Sequence, residues 1–335
     1  IPAGRAKSRP PPHKYPMLTL FANAKINLYL EIIGSRPDGY HELVMVMQSV
    51  GLYDVITLVP VNGPAITINC NHPQVPTDHT NLAYKAVTLL QKRFPNRTNR
   101  QGGVDITIDK KIPVGAGLAG GSSNAAAVLF GLDILWEMGL TRMELQEVSA
   151  ELGAYIPFCL AGGCAIATGR GEEVDVLPHN PKLFAVLAKY DSISVSTPWA
   201  YKTYRQQFAH TYLPLDDKAS LEERRARLHS GEMLKAIGSE DVAAIGANLH
   251  NDLEKVVLPA HPKVEQLRGL MTQIATVNGG LGTMMSGSGP TVFSLMETVE
   301  QAERVKKEVR SQIPDSDLQL HVAPFTSHGI VTKTR

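Results

Sequence analysis

The sequence predicts an α+β fold built as two domains. Its 335 residues are typical of about two domains, and the 43% hydrophobic content is enough for a sizeable core. Strand and helix patterns are mixed along the chain without regular βαβ alternation, which favours α+β layers over a doubly wound parallel sheet. We therefore predict a disordered N-terminal tail over residues 1–16, one domain over 17–180 and a second over 181–335.

Composition and charge exclude several classes of protein. The chain carries 33 basic and 32 acidic side chains, and this balance argues against a nucleic-acid partner. No apolar run approaches the roughly 18 residues that span a bilayer, and the N-terminus lacks the apolar core of a secretory signal. Three unpaired cysteines and no Cys/His cluster indicate free thiols in a reducing compartment. We expect a cytoplasmic protein, or a plastid one if the tail is a transit remnant, acting as a monomer or homodimer.

The first half opens with an alternating pattern from residue 18 to 33. It predicts a half-buried strand with Lys25 and Asn27 on one polar face. A Pro-Asp-Gly turn follows, and a helix over 81–92 is expected to be capped by Thr80. The remaining strands of this half are expected at 43–50, 54–60 and 104–108. Further helices are expected at 122–138, stopped by Gly139, and from the capping box of Thr141 and Glu144 to Leu152.

The second half has its own series of short elements. Strand-like stretches occur near 163–168, 183–189, 291–296 and 318–323. Helical patterns occur near 220–228, 241–249, 262–271 and 298–310. The turn over 286–290 before the strand near 291 is either a plain hairpin turn or one wall of a binding site.

Residues 113–124, which we call the glycine loop, carry the strongest chemical signal. Glycines at 115, 117, 120 and 121 let the backbone turn tightly and approach a ligand. A helix behind them would aim free N–H groups at an anion, and its dipole would favour negative charge there. Ser122 and Ser123 add hydroxyls for phosphate or magnesium, and Lys110 and Lys111 add positive charge. Together these features predict a phosphate-binding loop.

Other glycine-rich loops fit less well. A Walker A loop ends in Gly-Lys-Ser/Thr, whereas this chain has Gly121-Ser122-Ser123. A Rossmann loop needs an acid at a strand end about 20 residues on, and Asp133 lies inside a helix pattern. The HRD and DFG segments of protein kinases do not occur. A tight glycine turn without a ligand stays open as the alternative.

The loop resembles that of the GHMP kinase superfamily, and four further segments narrow the resemblance. They are Ala24-Lys25-Ile26-Asn27-Leu28, residues 36–43 (RPDGYHEL), residues 251–254 (NDLE) and residues 285–293 (MSGSGPTVF). This set is similar to the branch of the superfamily that phosphorylates CDP-methylerythritol in the non-mevalonate isoprenoid pathway. The resemblance covers residues 17 to about 330.

The resemblance implies a two-domain GHMP kinase architecture with the active site in the cleft between the domains. It implies transfer of the ATP γ-phosphoryl, with Mg²⁺, to the 2-hydroxyl of the erythritol moiety. Lys25 is then the catalytic lysine. The implied ATP contacts are Lys110, Pro113, Val114, Gly115, Ala116, Gly117, Leu118, Ala119, Gly120, Gly121, Ser122, Ser123 and Asn124, with Ser123 as a metal ligand. The implied substrate contacts are Asn27, Tyr40, His41, Thr197, Pro198, Tyr201, Gly287, Ser288 and Gly289, with Tyr40, His41 and Tyr201 on the cytosine.

One position departs from the pattern. Members of the family carry an aspartate, taken as the base that pairs with the lysine, where this chain has Tyr155. A phenol, with a pKa of about 10, is mostly neutral at neutral pH, although a nearby lysine would favour the phenolate. A positioned base contributes about 10²–10⁴-fold to rate. Either the chemistry is impaired, or Lys25, magnesium and the loop sustain it. Another GHMP small-alcohol kinase, or a nucleotide- or CDP-alcohol-binding variant with weak or no kinase activity, are the alternatives.

Overall fold

The computed structural model describes residues 16–98, 102–213, 219 and 231–333. These residues form two β-sheets with helices packed against them. The strands are β1 (Leu18–Ser35), β2 (His41–Val61), β3 (Ile66–Cys70), β4 (Gly103–Asp109), β5 (Cys164–Gly169), β6 (Glu173–Val176), β7 (Phe184–Tyr190), β8 (His250–Asn251), β9 (Gly282–Met285), β10 (Val292–Met296), β11 (Leu318–Pro324) and β12 (Ile330–Thr332). The α+β class predicted from the sequence is confirmed.

The helices follow the same order along the chain. They are α1 (Leu82–Arg93), α2 (Pro95–Thr98), α3 (Gly120–Leu135), α4 (Arg142–Leu152), α5 (Ile156–Ala161), α6 (Thr197–Phe208), α7 (Glu232–Gly238), α8 (Val242–Ala247), α9 (Glu254–Ala260), α10 (Pro262–Val277) and α11 (Val299–Gln312). None of these described helices is long and apolar enough to cross a membrane. The helix predicted near 220–228 and nearly all of the predicted tail lie outside the described residues.

The first sheet is organised around β1. Its central order is β12-β1-β2-β4-β3, with β5 and β6 continuing from β2, and β8 lies parallel to β1. The second sheet has the order β11-β7-β10-β9. Segments from the second half of the chain, β8 and β12, therefore complete the sheet that carries Lys25.

The prediction of a half-buried β1 is wrong, because both faces of the strand are covered. Ile26 and Leu28 pack with Leu187 and Phe293 of the second sheet. Lys25 lies on the other face as predicted, but only 2% of its surface is exposed. Loops cover this face, so Lys25 and Asn27 are buried and do not face solvent.

Two boundaries also differ from the sequence prediction. The strands expected at 43–50 and 54–60 form one strand, β2, because a register shift opposite Asn23 and Ala24 absorbs the irregularity. The cap of α1 is Asn81, whose Oδ1 accepts from the Ala83 N–H at 2.8 Å. Thr80 bonds Asp78 instead.

Helix α3 also ends earlier than predicted, whereas the capping box of α4 is confirmed. Glu137 adopts a left-handed conformation with φ 50°, and the Met138 N–H reaches back to the Asp133 carbonyl at 3.0 Å. This closing turn ends the helix before Gly139. At the start of α4, Thr141 and Glu144 cap each other's backbone N–H groups as the sequence predicted.

Candidate active site

The glycine loop ends in a sharp turn at the start of α3. Gly115 and Gly117 have φ of 60° and 73°, and Ala119 adopts a left-handed conformation with φ 57°. A left-handed alanine costs about 1–2 kcal/mol, and such strain is concentrated at functional sites. This turn leaves the first N–H groups of the sixteen-residue helix facing the loop, as an anion site requires.

The base of the glycine loop is fixed by a buried ion pair. Lys110, whose side chain is 4% exposed, donates to the fully buried carboxylate of Asp54. The same carboxylate accepts from the N–H groups of Lys111 (2.7 Å) and Ile112 (2.9 Å) and from the Asn124 amide (2.8 Å). The charge of Lys110, expected to attract phosphate, is therefore already balanced by Asp54.

The two serines at the start of α3 differ in accessibility. Ser123 is fully buried, and its hydroxyl donates to the Asn23 carbonyl at 2.7 Å. This burial argues against the metal-ligand role expected for Ser123, because its oxygen does not reach the loop surface. Ser122 is half-buried, and its side chain is the accessible one of the pair.

A second loop, residues 286–290, lies directly against the glycine loop. The Ser286 hydroxyl donates to the Gly117 carbonyl at 3.1 Å. A Cβ at Gly117 would lie 2.2 Å from the Ser286 carbonyl oxygen, so only glycine allows this approach. Gly287 and Gly289 also have positive φ, 56° and 73°. The turn therefore packs directly against the glycine loop.

Lys25 projects from β1 between the two loops. Its Nζ donates to Asn27 Oδ1 at 2.6 Å and to the Gly117 carbonyl at 2.8 Å. Burial lowers the pKa of Lys25 to about 7. Both acceptors are neutral, and no carboxylate of the described residues forms an ion pair with this ammonium. Lys25 is therefore a buried cation without a counter-charge.

Tyr155 lies where a counter-charge was expected. The Lys25 Nζ is 4.8 Å from the centroid of its ring, a cation–π contact. The phenol oxygen points away, toward Met45 Sδ at 3.8 Å. Burial raises the pKa of Tyr155, so the phenol is neutral at physiological pH. The expectation that the lysine would favour the phenolate is wrong, because the ammonium meets the ring and not the oxygen.

Three cavities surround these residues. The first, about 400 Å³, is lined by Gly39, Tyr40, His41, Leu43, Ala154, Tyr155, Arg170, Thr197, Pro198, Tyr201, Lys202 and Arg205. The second, about 200 Å³, is lined by Lys25, Gly115, Ala116, Gly117, Ala119, Tyr155, Val195, Thr197, Gly287, Ser288 and Gly289. The third, about 230 Å³, is lined by Gln74, Val75, Pro76, Thr80, Asn81, Leu82, Lys110, Pro113, Val114, Gly120, Gly121 and Asn124.

Most of the sequence-predicted residues thus line one of these three cavities. Tyr155 and Thr197 line both the first and the second cavity, so they form the wall between them. The Thr197 hydroxyl also lies 2.8 Å from that of Ser288, which ties the start of α6 to the second loop. Asn27, by contrast, is fully buried beneath Lys25 and lines no cavity described above, while Leu118 belongs to the core.

Aromatic side chains line the first cavity, and one of them has a polar atom without a hydrogen-bond partner. The ring of His41 stacks on Tyr201 with centroids 5.1 Å apart, and His41 Nε2 is buried without a hydrogen-bond partner. Burial, and then Arg205, lower the pKa of His41, which keeps the imidazole neutral. Tyr40 is 56% exposed and lies under the guanidinium of Arg170 at 5.1 Å. Tyr201 therefore supports the ring of His41.

Sequence reasoning missed part of this lining. Arg170, Lys202 and Arg205 place three basic side chains around the first cavity, in an otherwise aromatic setting. The signal for Arg170 was its position in a Gly-Arg-Gly turn directly after β5. The wall of the third cavity over residues 74–82 was also missed, because it belongs to a loop with no chemical motif of its own.

Comparison with known proteins assigns this combination of fold and site to a class. Residues 81–163 match the family model of the GHMP kinases N terminal domain, and residues 233–315 match that of the GHMP kinases C terminal. A homoserine kinase from Cytophaga hutchinsonii has a TM-score of 0.70 at 18% identity, covering 94% of this chain and 97% of its own, and shows the same fold. The protein is a small-molecule kinase of the GHMP class.

Closer relatives define the family within that class. A 4-diphosphocytidyl-2-C-methyl-D-erythritol kinase of Nostoc punctiforme is 56% identical over 312 residues, which cover 93% of this chain and 97% of the relative. The kinase of the same name from Synechocystis is 51% identical, with coverage of 95% and 98%. A crystal structure of 4-(cytidine 5'-diphospho)-2C-methyl-D-erythritol kinase has a TM-score of 0.68 at 30% identity, with coverage of 91% and 99%. The chain belongs to the 4-diphosphocytidyl-2-C-methyl-D-erythritol kinase family.

Proposed function

We propose that this chain transfers the γ-phosphoryl group of ATP to the 2-hydroxyl of 4-diphosphocytidyl-2-C-methyl-D-erythritol, and that Tyr155 makes the transfer slow. The observation that carries the proposal is the position of Lys25, which faces the second cavity between two glycine-rich loops. The family supplies the identity of both substrates. The neutral phenol at Tyr155 is the reason to expect a reduced rate.

The nucleotide fits the second and third cavities. The N–H groups at the start of α3 and the glycines of the glycine loop would hold its phosphates, because they are unpaired donors on a helix dipole. The third cavity is lined by Gly120 and Gly121, at the start of α3, and would take the nucleoside. In this arrangement the γ-phosphate would lie beside Lys25.

The acceptor fits the first cavity. The unpartnered Nε2 of the neutral His41 would form a hydrogen bond with an edge of the cytosine. Tyr40 would stack on the base, and Arg170, Lys202 and Arg205 would face its diphosphate. The erythritol end then lies at the wall formed by Tyr155 and Thr197, adjacent to Lys25.

In the transfer step the 2-hydroxyl oxygen bonds to the γ-phosphorus while the bond from that phosphorus to the β,γ-bridging oxygen breaks. Lys25 would stabilise the charge that spreads over the phosphoryl oxygens, which is the main protein contribution to such reactions. Tyr155, being neutral, does not take the hydroxyl proton, which leaves to solvent or to a phosphate oxygen. Products are ADP and the 2-phosphate.

The residues that the structure describes do not form a magnesium site of their own. Asp54, the acid at the glycine loop, is fully buried and committed to Lys110 and three N–H donors. Within the described ranges no three His, Cys, Asp or Glu side chains converge to hold a metal. Mg²⁺ would therefore arrive on the ATP phosphates, where it would neutralise charge, with the Ser122 hydroxyl as the accessible side-chain oxygen nearby.

The test is a steady-state assay with ATP and the CDP-alcohol, following the 2-phosphate by ³¹P NMR, for wild type and His41→Phe. The phenylalanine keeps the ring on Tyr201 but lacks Nε2, so KM for the CDP-alcohol should rise about tenfold or more while kcat changes little. Lys25→Met should remove turnover. Absence of the 2-phosphate in wild type despite ATP binding by calorimetry would favour the binding variant. Equal KM values for wild type and His41→Phe would refute the placement of the base.

A further inference from the structure

The segment Asn251–Glu254 was singled out by its sequence, but none of its side chains lines the cavities described above. It begins in β8, where Asn251 lies parallel to Leu30 of β1. Asn251 is only 5% exposed. A buried amide of this kind must satisfy its polar atoms inside the protein, so its partners show what it does.

The Asn251 side-chain amide forms hydrogen bonds with the backbone on both sides of Ser286. Its Nδ2 donates to the Met285 carbonyl at 2.7 Å and to the Gly287 carbonyl at 2.8 Å. Its Oδ1 accepts from the Leu253 N–H at 2.9 Å, which fixes the orientation of the amide. Both amide hydrogens are thus spent on carbonyl groups that flank Ser286.

The other end of the segment is tied to the strand that carries Lys25. The Asp252 N–H donates to the Leu30 carbonyl at 3.0 Å, and its carboxylate accepts from the Ile32 N–H at 2.8 Å. Glu254 adds a bond at the end of β9, directly before the second loop, by accepting from the Met285 N–H at 2.8 Å. The segment therefore connects β1 to the second loop through hydrogen bonds.

This connection can affect Lys25, because Gly287 of the second loop lies against it. A Cβ at Gly287 would lie 3.2 Å from Lys25 Nζ and 3.1 Å from Asn27 Oδ1, so the two surfaces are in close contact. Gly287, Ser288 and Gly289 form one wall of the second cavity. A shift of this loop would widen the cavity and admit water to the ammonium.

We propose that Asn251 is a positioning residue. It holds the second loop at a fixed distance from Lys25 and so sets the width of the space for the nucleotide phosphates. This rests on the proposed function, in which that space receives ATP. The residue touches neither substrate and acts through Gly287.

The test compares Asn251→Asp with the control Asn248→Asp. The aspartate is isosteric but faces two carbonyls with no hydrogen to donate. Asn248 also donates its amide to a carbonyl, that of Ala244 at 2.8 Å, away from the second loop. Calorimetry with a nonhydrolysable ATP analogue and Mg²⁺ should give a Kd at least tenfold higher for Asn251→Asp alone. In the uncharged variant Asn251→Ser, the titration midpoint of Lys25, followed by NMR of ¹³C-labelled lysine, should rise above that of wild type as water enters.

Thermal unfolding separates positioning from folding. If Asn251→Asp does not fold, Asn251→Ser, which keeps one donor, should show a smaller loss in the same direction. Unchanged Kd and Lys25 midpoint in a folded Asn251 variant would overturn the proposal. Equal losses in both Asp variants would do the same. Failure of wild type to bind the analogue would instead contradict the proposed function, and the Lys25 midpoint would still test Asn251.

Discussion

Two buried lysines lie on either side of the glycine loop, and they differ in what balances their charge. Lys110 at the base of the loop meets the Asp54 carboxylate, which also gathers three N–H donors. Lys25 meets two neutral oxygens and the face of Tyr155. Lys110 is therefore a structural cation, whereas the ammonium of Lys25 has no balancing carboxylate, and burial lowers its pKa to about 7.

This difference indicates what the tyrosine changes. With an acid at position 155 the two lysines would be alike, each held by a carboxylate. With Tyr155 the site loses both a proton acceptor and the charge that would keep Lys25 protonated. Under the proposed function, nucleotide binding uses mainly the helix start and the two loops, whereas the transfer step depends on position 155.

The largest effect is expected when the missing partner is supplied. Tyr155→Asp should raise kcat by about 10²–10⁴-fold, the usual contribution of a positioned base, and leave ATP affinity within about threefold. Tyr155→Asn is the matched control, because it has the same shape but cannot accept a proton. Comparing kcat of the two variants by steady-state kinetics separates the effect of the carboxylate charge from that of side-chain size. Similar gains in both would show that bulk, and not the missing base, limits the reaction.

The next largest effect is expected on stability, when Lys110 loses its partner Asp54. Asp54→Asn leaves a buried ammonium unbalanced and should lower the free energy of unfolding by about 3–5 kcal/mol. Asp109→Asn is the control, since the ion pair of Asp109 with Lys111 is 3.9 Å long and half exposed; it should cost under about 1 kcal/mol. Urea denaturation checks both. Equal losses would mean that the Asp54 pair is no more important than a surface pair.

A smaller effect is expected where the two loops meet. Gly117→Ala places a Cβ against the Ser286 carbonyl at a left-handed position, at a cost of about 1–3 kcal/mol. The loops must separate, so the Kd for ATP should rise about tenfold or more. Gly269→Ala in α10, where the added Cβ meets open space away from the three cavities, should bind ATP as wild type does. Calorimetry measures the Kd for ATP in both variants. Equal affinity would contradict the close approach of Gly117 to the Ser286 carbonyl.

The smallest effect is a pH dependence of stability. The pKa of Lys25 is about 7 in the folded chain against an ordinary 10.5, so the unfolded chain binds more protons between these values. The free energy of unfolding of wild type should therefore rise with pH in this window relative to Lys25→Met, by about 1 kcal/mol from pH 7.5 to 8.5. Urea denaturation at both values measures it. A constant difference would mean that Lys25 stays charged throughout.

The sequence predicted the features that depend on local chemistry. The glycine loop, the helix behind it, the capping box of α4 and the shared face of Lys25 and Asn27 all follow from spacing along short segments. The family resemblance added the position of Tyr155. These are patterns in which the interacting residues lie close together in the chain.

What the sequence did not predict depends on contacts between distant segments. Asp54 reaches Lys110 across 56 residues, and nothing in either segment marks the pair. Burial of both faces of β1 requires the second sheet and the loops in place. The orientation of Lys25 over the Tyr155 ring, and not toward its oxygen, follows from packing around Met45.

The most direct test of the unpaired lysine is its own titration. In NMR of ¹³C-labelled lysine, with Lys25 assigned by its loss in Lys25→Arg, wild type should show a midpoint near pH 7. Tyr155→Asp should move it upward, because a carboxylate stabilises the ammonium. A wild-type midpoint at the ordinary value of 10.5, unchanged by Tyr155→Asp, would contradict the account.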